Sequence, residues 1–313
     1  VASSSAATIS CNGGTTTVTV TASGGTAPYE GTGTFTVSAG AYSFTVTDAN
    51  GCAVNSNVTI TEPLLLTANA TLNTPILCNG GQGVVNISGN GGTLPYTGTG
   101  NFTVNSGISN YTITDANGCI AQTSIVVNEP SLLQANSVIS QSILCNGGTG
   151  QITVSAAGGT GPYTGTGLQS VLTGNYTYSV IDANGCAANT SINIAEPAAL
   201  TITVTGNNPL CNGSGNGSAS AVVTGGTSPY TYSWSNGTST SAATNLTSGT
   251  YTVQVTDANG CVISGSVTLT QPGTLSANAI ISSAILCNGG TAQILVSANA
   301  GTIPYSGTGQ FSA

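Results

Sequence analysis

The sequence predicts an all-β protein built as a tandem array of small domains, and three observations lead to this prediction. One unit recurs along the 313 residues: Cys-Asn-Gly, then Gly-Gly-Thr-x-Pro-Tyr, then Asp-Ala-Asn-Gly-Cys, then Glu-Pro or Gln-Pro. The opening cysteines recur every 66 to 76 residues, a period that suits a small β-domain rather than one turn of a solenoid. Thr, Val, Ser and Asn, with many Gly and Pro, take the place of the residues that favour helices.

The Glu-Pro and Gln-Pro pairs divide the chain into five repeats. The predicted domains are residues 1–63, 64–130, 131–197, 198–272 and 273–313, of which the fourth is enlarged and the first and last are incomplete. We expect the whole protein to continue beyond both ends. Because proline fixes its own φ and restricts the residue before it, we expect stiff joints and hence an elongated stalk.

Two alternating runs flank each Asp-Ala-Asn-Gly turn. Before the fourth turn, Tyr251, Val253 and Val255 alternate with polar residues, and Val267 and Leu269 alternate after it. Alternation with a period of two predicts strands that bury one face. The Asn-Gly dipeptide suits a type I′ hairpin turn, so the two strands are predicted to pair in antiparallel fashion.

Each repeat has a further alternating run earlier in its sequence, such as Ile152 and Val154 in the third repeat. So many short strands between Gly and Pro turns predict an immunoglobulin-like β-sandwich for each unit. In the fourth repeat, the spacing of Thr247 and Tyr251 is typical of a tyrosine corner. Trp234, the single tryptophan, is the predicted core residue of that enlarged domain.

The composition excludes most catalytic chemistry, because the chain has no Lys, Arg, His or Met and carries a net charge of −8. A catalytic triad needs an imidazole and a P-loop needs a lysine, so we expect neither an enzyme nor a cofactor. Without basic residues to neutralise phosphates, we expect no nucleic-acid partner. No stretch approaches the roughly 20 apolar residues that span a bilayer, so we expect no direct membrane insertion.

Nine cysteines at regular positions, without a zinc-type Cys-x-x-Cys pair, predict disulfides and an oxidising, extracytoplasmic location. We expect one bridge within each repeat, across 41 or 50 residues. The expected pairs are Cys11 with Cys52, Cys78 with Cys119, Cys145 with Cys186, Cys211 with Cys261, and Cys287 with a cysteine beyond residue 313. Bridges between neighbouring repeats, such as Cys52 to Cys78, remain an alternative, because that separation of 25 or 26 residues is also nearly constant.

Two recurring side chains are candidate ligand sites. One Asp per repeat stands beside the Asn-Gly turn and is a calcium candidate, although capping of backbone amides is favoured because calcium wants several carboxylates. The Tyr of each Pro-Tyr pair is a candidate for stacking on carbohydrate, although packing at the domain edge is favoured. The aspartates are Asp48, Asp115, Asp182 and Asp257, and the tyrosines are Tyr29, Tyr96, Tyr163, Tyr230 and Tyr305.

The set Pro-Tyr-x-Gly-Thr-Gly, Thr-Asp-Ala-Asn-Gly-Cys and Ile-x-Glu-Pro resembles the SprB-type repeat of Bacteroidetes surface proteins, over essentially the entire chain. The resemblance implies an extracellular, cell-surface adhesin. It also implies export by the type IX secretion system and, in members of that kind, transport along the cell surface by the gliding motor.

These observations favour a structural repeat segment of a long surface-adhesin filament that gives reach, stiffness and protease resistance in attachment or gliding. Its expected partners are the neighbouring repeats of the same chain. One alternative is a carbohydrate-binding module that holds surface polysaccharide through exposed Tyr rings. Another is a self-assembling fibre or sheath in which identical chains associate laterally, because only 3% of the residues are charged and little electrostatic repulsion keeps them apart.

Overall fold

The computed structural model describes residues 1–313, which form 24 β-strands and no helix. It accordingly contains no helix that is long and apolar enough to cross a membrane. The residues gather into two compact units: residues 1–135, 156–165 and 179–189 form the first, and residues 136–155, 166–178 and 190–313 form the second. The all-β prediction is confirmed, whereas the predicted boundaries of the five domains stay a prediction.

The strands recur in the same order in each repeat. The first repeat contains β1 (Ala2–Ala6), β2 (Thr16–Ala22), β3 (Gly33–Val37), β4 (Gly40–Thr47) and β5 (Ala53–Ile60). The second contains β6 (Thr67–Thr74), β7 (Gly83–Asn90), β8 (Gly100–Val104), β9 (Gly107–Thr114) and β10 (Ile120–Val127). The third contains β11 (Gln134–Gln141), β12 (Gly150–Ala157), β13 (Gly167–Val171), β14 (Gly174–Ile181) and β15 (Ala187–Ile194).

The last two repeats lie in the second unit. The fourth repeat contains β16 (Thr201–Asn207), β17 (Gly217–Thr224), β18 (Thr231–Trp234), β19 (Ala242–Leu246), β20 (Gly249–Thr256) and β21 (Val262–Leu269). The fifth contains β22 (Ser276–Ser283), β23 (Gln293–Asn299) and β24 (Gly309–Ser312).

The strands of a repeat form two small antiparallel sheets. In the first repeat, β2 lies between β1 and β3, while β4 pairs with β5. The second repeat repeats this arrangement, with the order β6-β7-β8 in one sheet and β9-β10 in the other. Each strand turns one face inward, so the two sheets pack against each other as a sandwich. The prediction of immunoglobulin-like β-sandwich repeats is confirmed.

The core of a repeat draws on both sheets. In the second repeat, Val85 and Ile87 of β7 pack with Ile113 of β9 and Val127 of β10, and none of the four is more than 1% exposed. Burying an aliphatic side chain of this size contributes about 1.5 to 3 kcal/mol. The first and fourth repeats have equivalent cores. The period-two alternation in the sequence therefore marks the buried face correctly.

The fourth repeat is enlarged by one strand. The β18 strand pairs with β20, so its second sheet has the order β18-β20-β21, whereas in the first repeat a single bridge between Glu30 and Thr47 takes this place. Trp234 is 3% exposed in the core, and its Nε1 donates to the carbonyl oxygen of Thr240 at 2.9 Å. The Tyr251 hydroxyl donates to the carbonyl oxygen of Thr247 at 3.1 Å. The core tryptophan and the tyrosine corner are both confirmed.

The Asn-Gly turns join antiparallel strands as predicted, but the predicted turn type is wrong. A type I′ turn needs positive φ at both central residues, yet in the first repeat Gly51 has a φ of +82° and Asn50 has no positive φ. The Gly51 amide donates to the carbonyl oxygen of Asp48 at 2.9 Å, as in a type I turn followed by a left-handed glycine. The Asp48 carboxylate favours this turn, because it accepts the Asn50 amide two residues on.

Candidate functional site at the joints between repeats

Three disulfides join the opening cysteine of one repeat to the closing cysteine of the next repeat. Their Cα–Cα distances are 5.6 to 5.8 Å, within the usual range for a disulfide. The bonded pairs are Cys11 with Cys119, Cys78 with Cys186, and Cys145 with Cys261. The predicted bridges within repeats are therefore wrong, namely Cys11 with Cys52, Cys78 with Cys119, Cys145 with Cys186, and Cys211 with Cys261.

The β-hairpin of each repeat explains why its own two cysteines do not meet. Cys52 lies at the turn end of the β4–β5 hairpin, whereas Cys11 lies beside residues that hydrogen-bond to Glu62 and Pro63, past the other end of β5. Strand β5 has 8 residues, which at about 3.3 Å per residue separates the two cysteines by roughly 26 Å. A disulfide needs Cα atoms within about 7 Å, so the bridge must reach another repeat.

Three cysteines, Cys52, Cys211 and Cys287, are unpaired and exposed. The alternative bridge from Cys52 to Cys78 is therefore also wrong, because Cys78 is bonded to Cys186. The partner expected for Cys287 beyond residue 313 stays a prediction.

The opening Cys-Asn-Gly loop first binds the junction that ends its own repeat. The Asn12 side-chain amide donates to the carbonyl oxygen of Pro63 at 3.0 Å, and the Gly13 amide donates to Glu62 Oε2 at 2.6 Å. The second and third repeats make the same two bonds at Glu129-Pro130 and Glu196-Pro197. In the fourth repeat Gln271 accepts from the Gly213 amide at 2.8 Å. The loop therefore requires an acceptor oxygen at this position rather than a charge.

The closing turn is organised by its aspartate. Asp115 Oδ1 accepts the amides of Asn117 and Cys119, each at 2.9 Å, and Oδ2 accepts the Thr93 amide at 2.9 Å. The same three bonds form at Asp48, Asp182 and Asp257. These are the capping bonds favoured from the sequence. No group of three or more Cys, Asp and Glu side chains with metal-binding geometry is present, and calcium binding at the aspartates stays an untested prediction.

The asparagine of the same turn crosses to the preceding repeat. Asn117 Nδ2 donates to the carbonyl oxygen of Ser10 at 3.0 Å and to Thr93 Oγ1 at 3.0 Å. Cys119 Sγ lies 3.3 Å from the same Ser10 oxygen. This is a packing contact, because a disulfide sulfur carries no hydrogen. The equivalent asparagines bind the residue before the next opening cysteines: Asn184 to Leu77 and Asn259 to Leu144, both at 2.9 Å. Sequence analysis missed this role, although the asparagine stands in all four complete closing turns.

The chain that follows each proline is held by the Gly-Gly loop of the next repeat. The Gly92 amide donates to the carbonyl oxygen of Leu64 at 2.7 Å, and Leu66 is buried in the core of the second repeat. Gly91 lies so close to Leu65 that a Cβ there would overlap the Leu65 carbonyl oxygen. Equivalent amide bonds form from Gly159 to Ser131 and from Gly226 to Ala198, both at 2.8 Å. The linkers are thus bound along their length.

The Pro-Tyr tyrosines anchor this Gly-Gly loop. The Tyr96 hydroxyl donates to the carbonyl oxygen of Gly91, and the Tyr163 hydroxyl donates to Gly158 at 2.7 Å. Tyr29, Tyr230 and Tyr305 make the equivalent bond, and all five rings are half-buried. The rings of Tyr29, Tyr96 and Tyr230 pack against the cores. These contacts give the rings a packing role, and carbohydrate stacking stays an untested prediction.

The capping bonds also set the titration of the aspartates. Burial raises the pKa of Asp115, which is 5% exposed, but the amides of Thr93, Cys119, Asn117 and Gly118 together lower this pKa below its usual value. The pKa values of Asp182 and Asp257 are lowered in the same way. For Asp48, the Cys52 amide is the largest cause of the lowered pKa.

Acidification should therefore destabilise the repeats. A carboxylate with a lowered folded-state pKa contributes stability above its unfolded pKa of about 3.9, and this contribution disappears as the pH falls through the folded pKa. We expect a steady melting temperature from about pH 5 to 7 and a fall below about pH 4, measured by calorimetry. Asp115→Asn should lower the melting temperature at pH 7 and flatten the acid limb, whereas Glu30→Gln, at an exposed position, should change neither. A melting temperature that stays constant down to pH 2 would contradict the capping role.

The fold and the joints together define a class of protein: a tandem array of immunoglobulin-like β-sandwiches in which disulfides tie successive repeats. The family model of the SprB repeat matches residues 137–164 and 203–239, in the third and fourth repeats. The resemblance to SprB-type repeats is confirmed at these two places.

No curated protein sequence is significantly similar to the chain. Among solved structures, it is similar to the N-terminal eight Ig domains of Down Syndrome Cell Adhesion Molecule, with 10% identity and a TM-score of 0.28 over 90% of this chain and 58% of that chain. The N-terminal four Ig domains of a Dscam1 isoform match with 13% identity and a TM-score of 0.24, over 74% and 79% of the two chains. A Salmonella alpha-2-macroglobulin mutant matches with 9% identity and a TM-score of 0.15, over 93% and 31%. Similarity at this level supports no argument about function.

Proposed function

We propose that this chain is a structural repeat segment of an extracellular cell-surface adhesin, in which it gives reach, stiffness and protease resistance for surface attachment or gliding. The observation that carries the proposal is the set of three disulfides that tie each repeat to the next. Disulfides of this kind form and persist in oxidising compartments outside the cytoplasm. The two SprB-repeat matches support the same location.

The joints support a mechanical role rather than a catalytic one. Each one combines a disulfide, an asparagine bond to the preceding repeat and a linker held by backbone amides. These interactions restrict how the bonded segments move, and they leave no polar group set aside for chemistry. The chain has no imidazole, amine or guanidinium side chain, so the proposal assigns it no enzymatic activity, metal or cofactor.

Protease resistance follows from the same features. Trypsin cleaves after Lys and Arg, and the chain contains neither. The disulfides also keep cleaved segments covalently attached, because each one spans 108 or 116 residues. A surface protein built in this way would tolerate extracellular proteases better than a chain of independent domains. Its proposed partners are the neighbouring repeats of the same chain.

Location and role can be tested separately on the cells that produce the protein. Antibodies against residues 1–313 should label intact cells without permeabilisation, while antibodies against a cytoplasmic protein should not. In-frame deletion of these residues from the parent protein should reduce attachment to a surface. Labelling that requires permeabilisation would overturn the proposed location, and unchanged attachment would overturn the adhesive role. Binding of the isolated chain to a glycan array would favour the carbohydrate-binding alternative instead.

A further inference from the structure

The three disulfides enclose loops that overlap one another. The loop closed by Cys11 and Cys119 contains Cys78, and the loop closed by Cys78 and Cys186 contains both Cys119 and Cys145. Bridges within repeats would instead close separate loops in series. Overlapping loops give the chain more than one covalent route from its beginning to its end.

The shortest covalent route leaves out most of the chain. It runs through residues 1–11, crosses to Cys119, follows residues 119–145, crosses to Cys261 and continues to residue 313. This route contains about 90 residues, which span roughly 300 Å when fully extended at 3.3 to 3.6 Å per residue. Without disulfides, the 313 residues would extend to roughly 1,000 to 1,100 Å.

We propose that the interleaved disulfides act as an extension limiter, which caps the length of the chain under tension at the shortest covalent route. Repeats that unfold under load then release little length, because the polypeptide between the bonded cysteines is bypassed by the disulfides. The cap is about a third of the length that the same chain reaches without disulfides. The inference rests on disulfide connectivity alone, so it holds whether or not the parent protein is an adhesin.

The route also assigns different loads to the three disulfides. Force along the shortest route passes through Cys11–Cys119 and Cys145–Cys261, and it bypasses Cys78–Cys186. If the first disulfide is removed, the shortest route becomes residues 1–78, 145–186 and 261–313. That route contains about 170 residues and extends to roughly 600 Å. If Cys78–Cys186 is removed, the original route is unaffected.

Single-molecule stretching of residues 1–313 between terminal peptide tags tests the proposal. The three unpaired cysteines are replaced in every sample (Cys52→Ser, Cys211→Ser, Cys287→Ser), which prevents bonds between chains. We expect a final contour length of roughly 300 Å for this chain and roughly 1,000 to 1,100 Å when the remaining six cysteines are also serine. Peptide mapping without reduction first establishes which disulfides each sample contains.

Two matched double substitutions distinguish the interleaved route from a general effect of disulfides. Cys11→Ser with Cys119→Ser should double the final length to roughly 600 Å, whereas Cys78→Ser with Cys186→Ser should leave it at roughly 300 Å. The final length depends on covalent connectivity and not on folded stability, so a destabilised variant remains informative. Equal lengthening by both pairs, or a final length near 1,000 Å with all three disulfides present, would overturn the proposal.

Discussion

Replacing Cys145 and Cys261 with serine will lower the free energy of unfolding of the fourth repeat by about 4 to 5 kcal/mol. This disulfide spans 116 residues, and in the chain-entropy model a loop of about 100 residues contributes about 4.7 kcal/mol by restricting the unfolded chain. The contribution is large for a domain of this size, which has a small core and buries only about 60% of its unfolded surface. The fourth repeat should therefore depend on its bond to the third.

Trp234 provides a specific measurement of this effect, because it is the single tryptophan and lies buried in the core of the fourth repeat. Urea unfolding followed by its fluorescence should show a midpoint at lower urea concentration in the double variant. The control is Cys211→Ser, which changes an exposed, unpaired cysteine in the same repeat and should shift the free energy by less than about 0.5 kcal/mol. Equal midpoints for the two variants would show that the disulfide adds no stability to this repeat.

Substituting alanine for Gly91 should destabilise the joint between the first and second repeats by about 3 to 5 kcal/mol. Gly91 has a φ of +78°, and a Cβ at this position would overlap the Leu65 carbonyl oxygen. The left-handed backbone alone costs an alanine about 1 to 2 kcal/mol. The overlap adds to this cost, because the linker backbone or the Gly-Gly loop must move to relieve it.

Gly24 supplies the matched control for this substitution. It occupies the same position in the first repeat and has the same φ of +78°, but a Cβ there would meet no atom within 4 Å. Gly24→Ala should therefore cost only the backbone term of about 1 to 2 kcal/mol. Calorimetry of the two variants isolates the contribution of the linker contact. Equal losses would mean that Leu65 is not held closely by the loop.

Local patterns predicted the repeats correctly where short-range interactions decide the structure. The alternation of Val253 and Val255 with polar residues marked the buried face of β20, and the spacing from Thr247 to Tyr251 marked the tyrosine corner. Each of these features depends on residues that are close together in the chain. The type of the Asn-Gly turn was the exception, because the Asp48 carboxylate stabilises a conformation that the dipeptide alone does not favour.

The joints depend on interactions between residues that are distant in the sequence. Spacing alone offered two constant separations, 41 residues within most repeats and about 26 between neighbours, and neither corresponds to the pairs that form. The β4–β5 hairpin places Cys52 roughly 26 Å from the end of the repeat where Cys11 lies, and the linker brings the closing turn of the next repeat to Cys11 instead. Composition and periodicity thus determine the strands, the repeat and the absence of catalytic groups. The pairing of the cysteines is determined only by the packing of successive repeats, because a disulfide forms between residues that the fold brings within bonding distance.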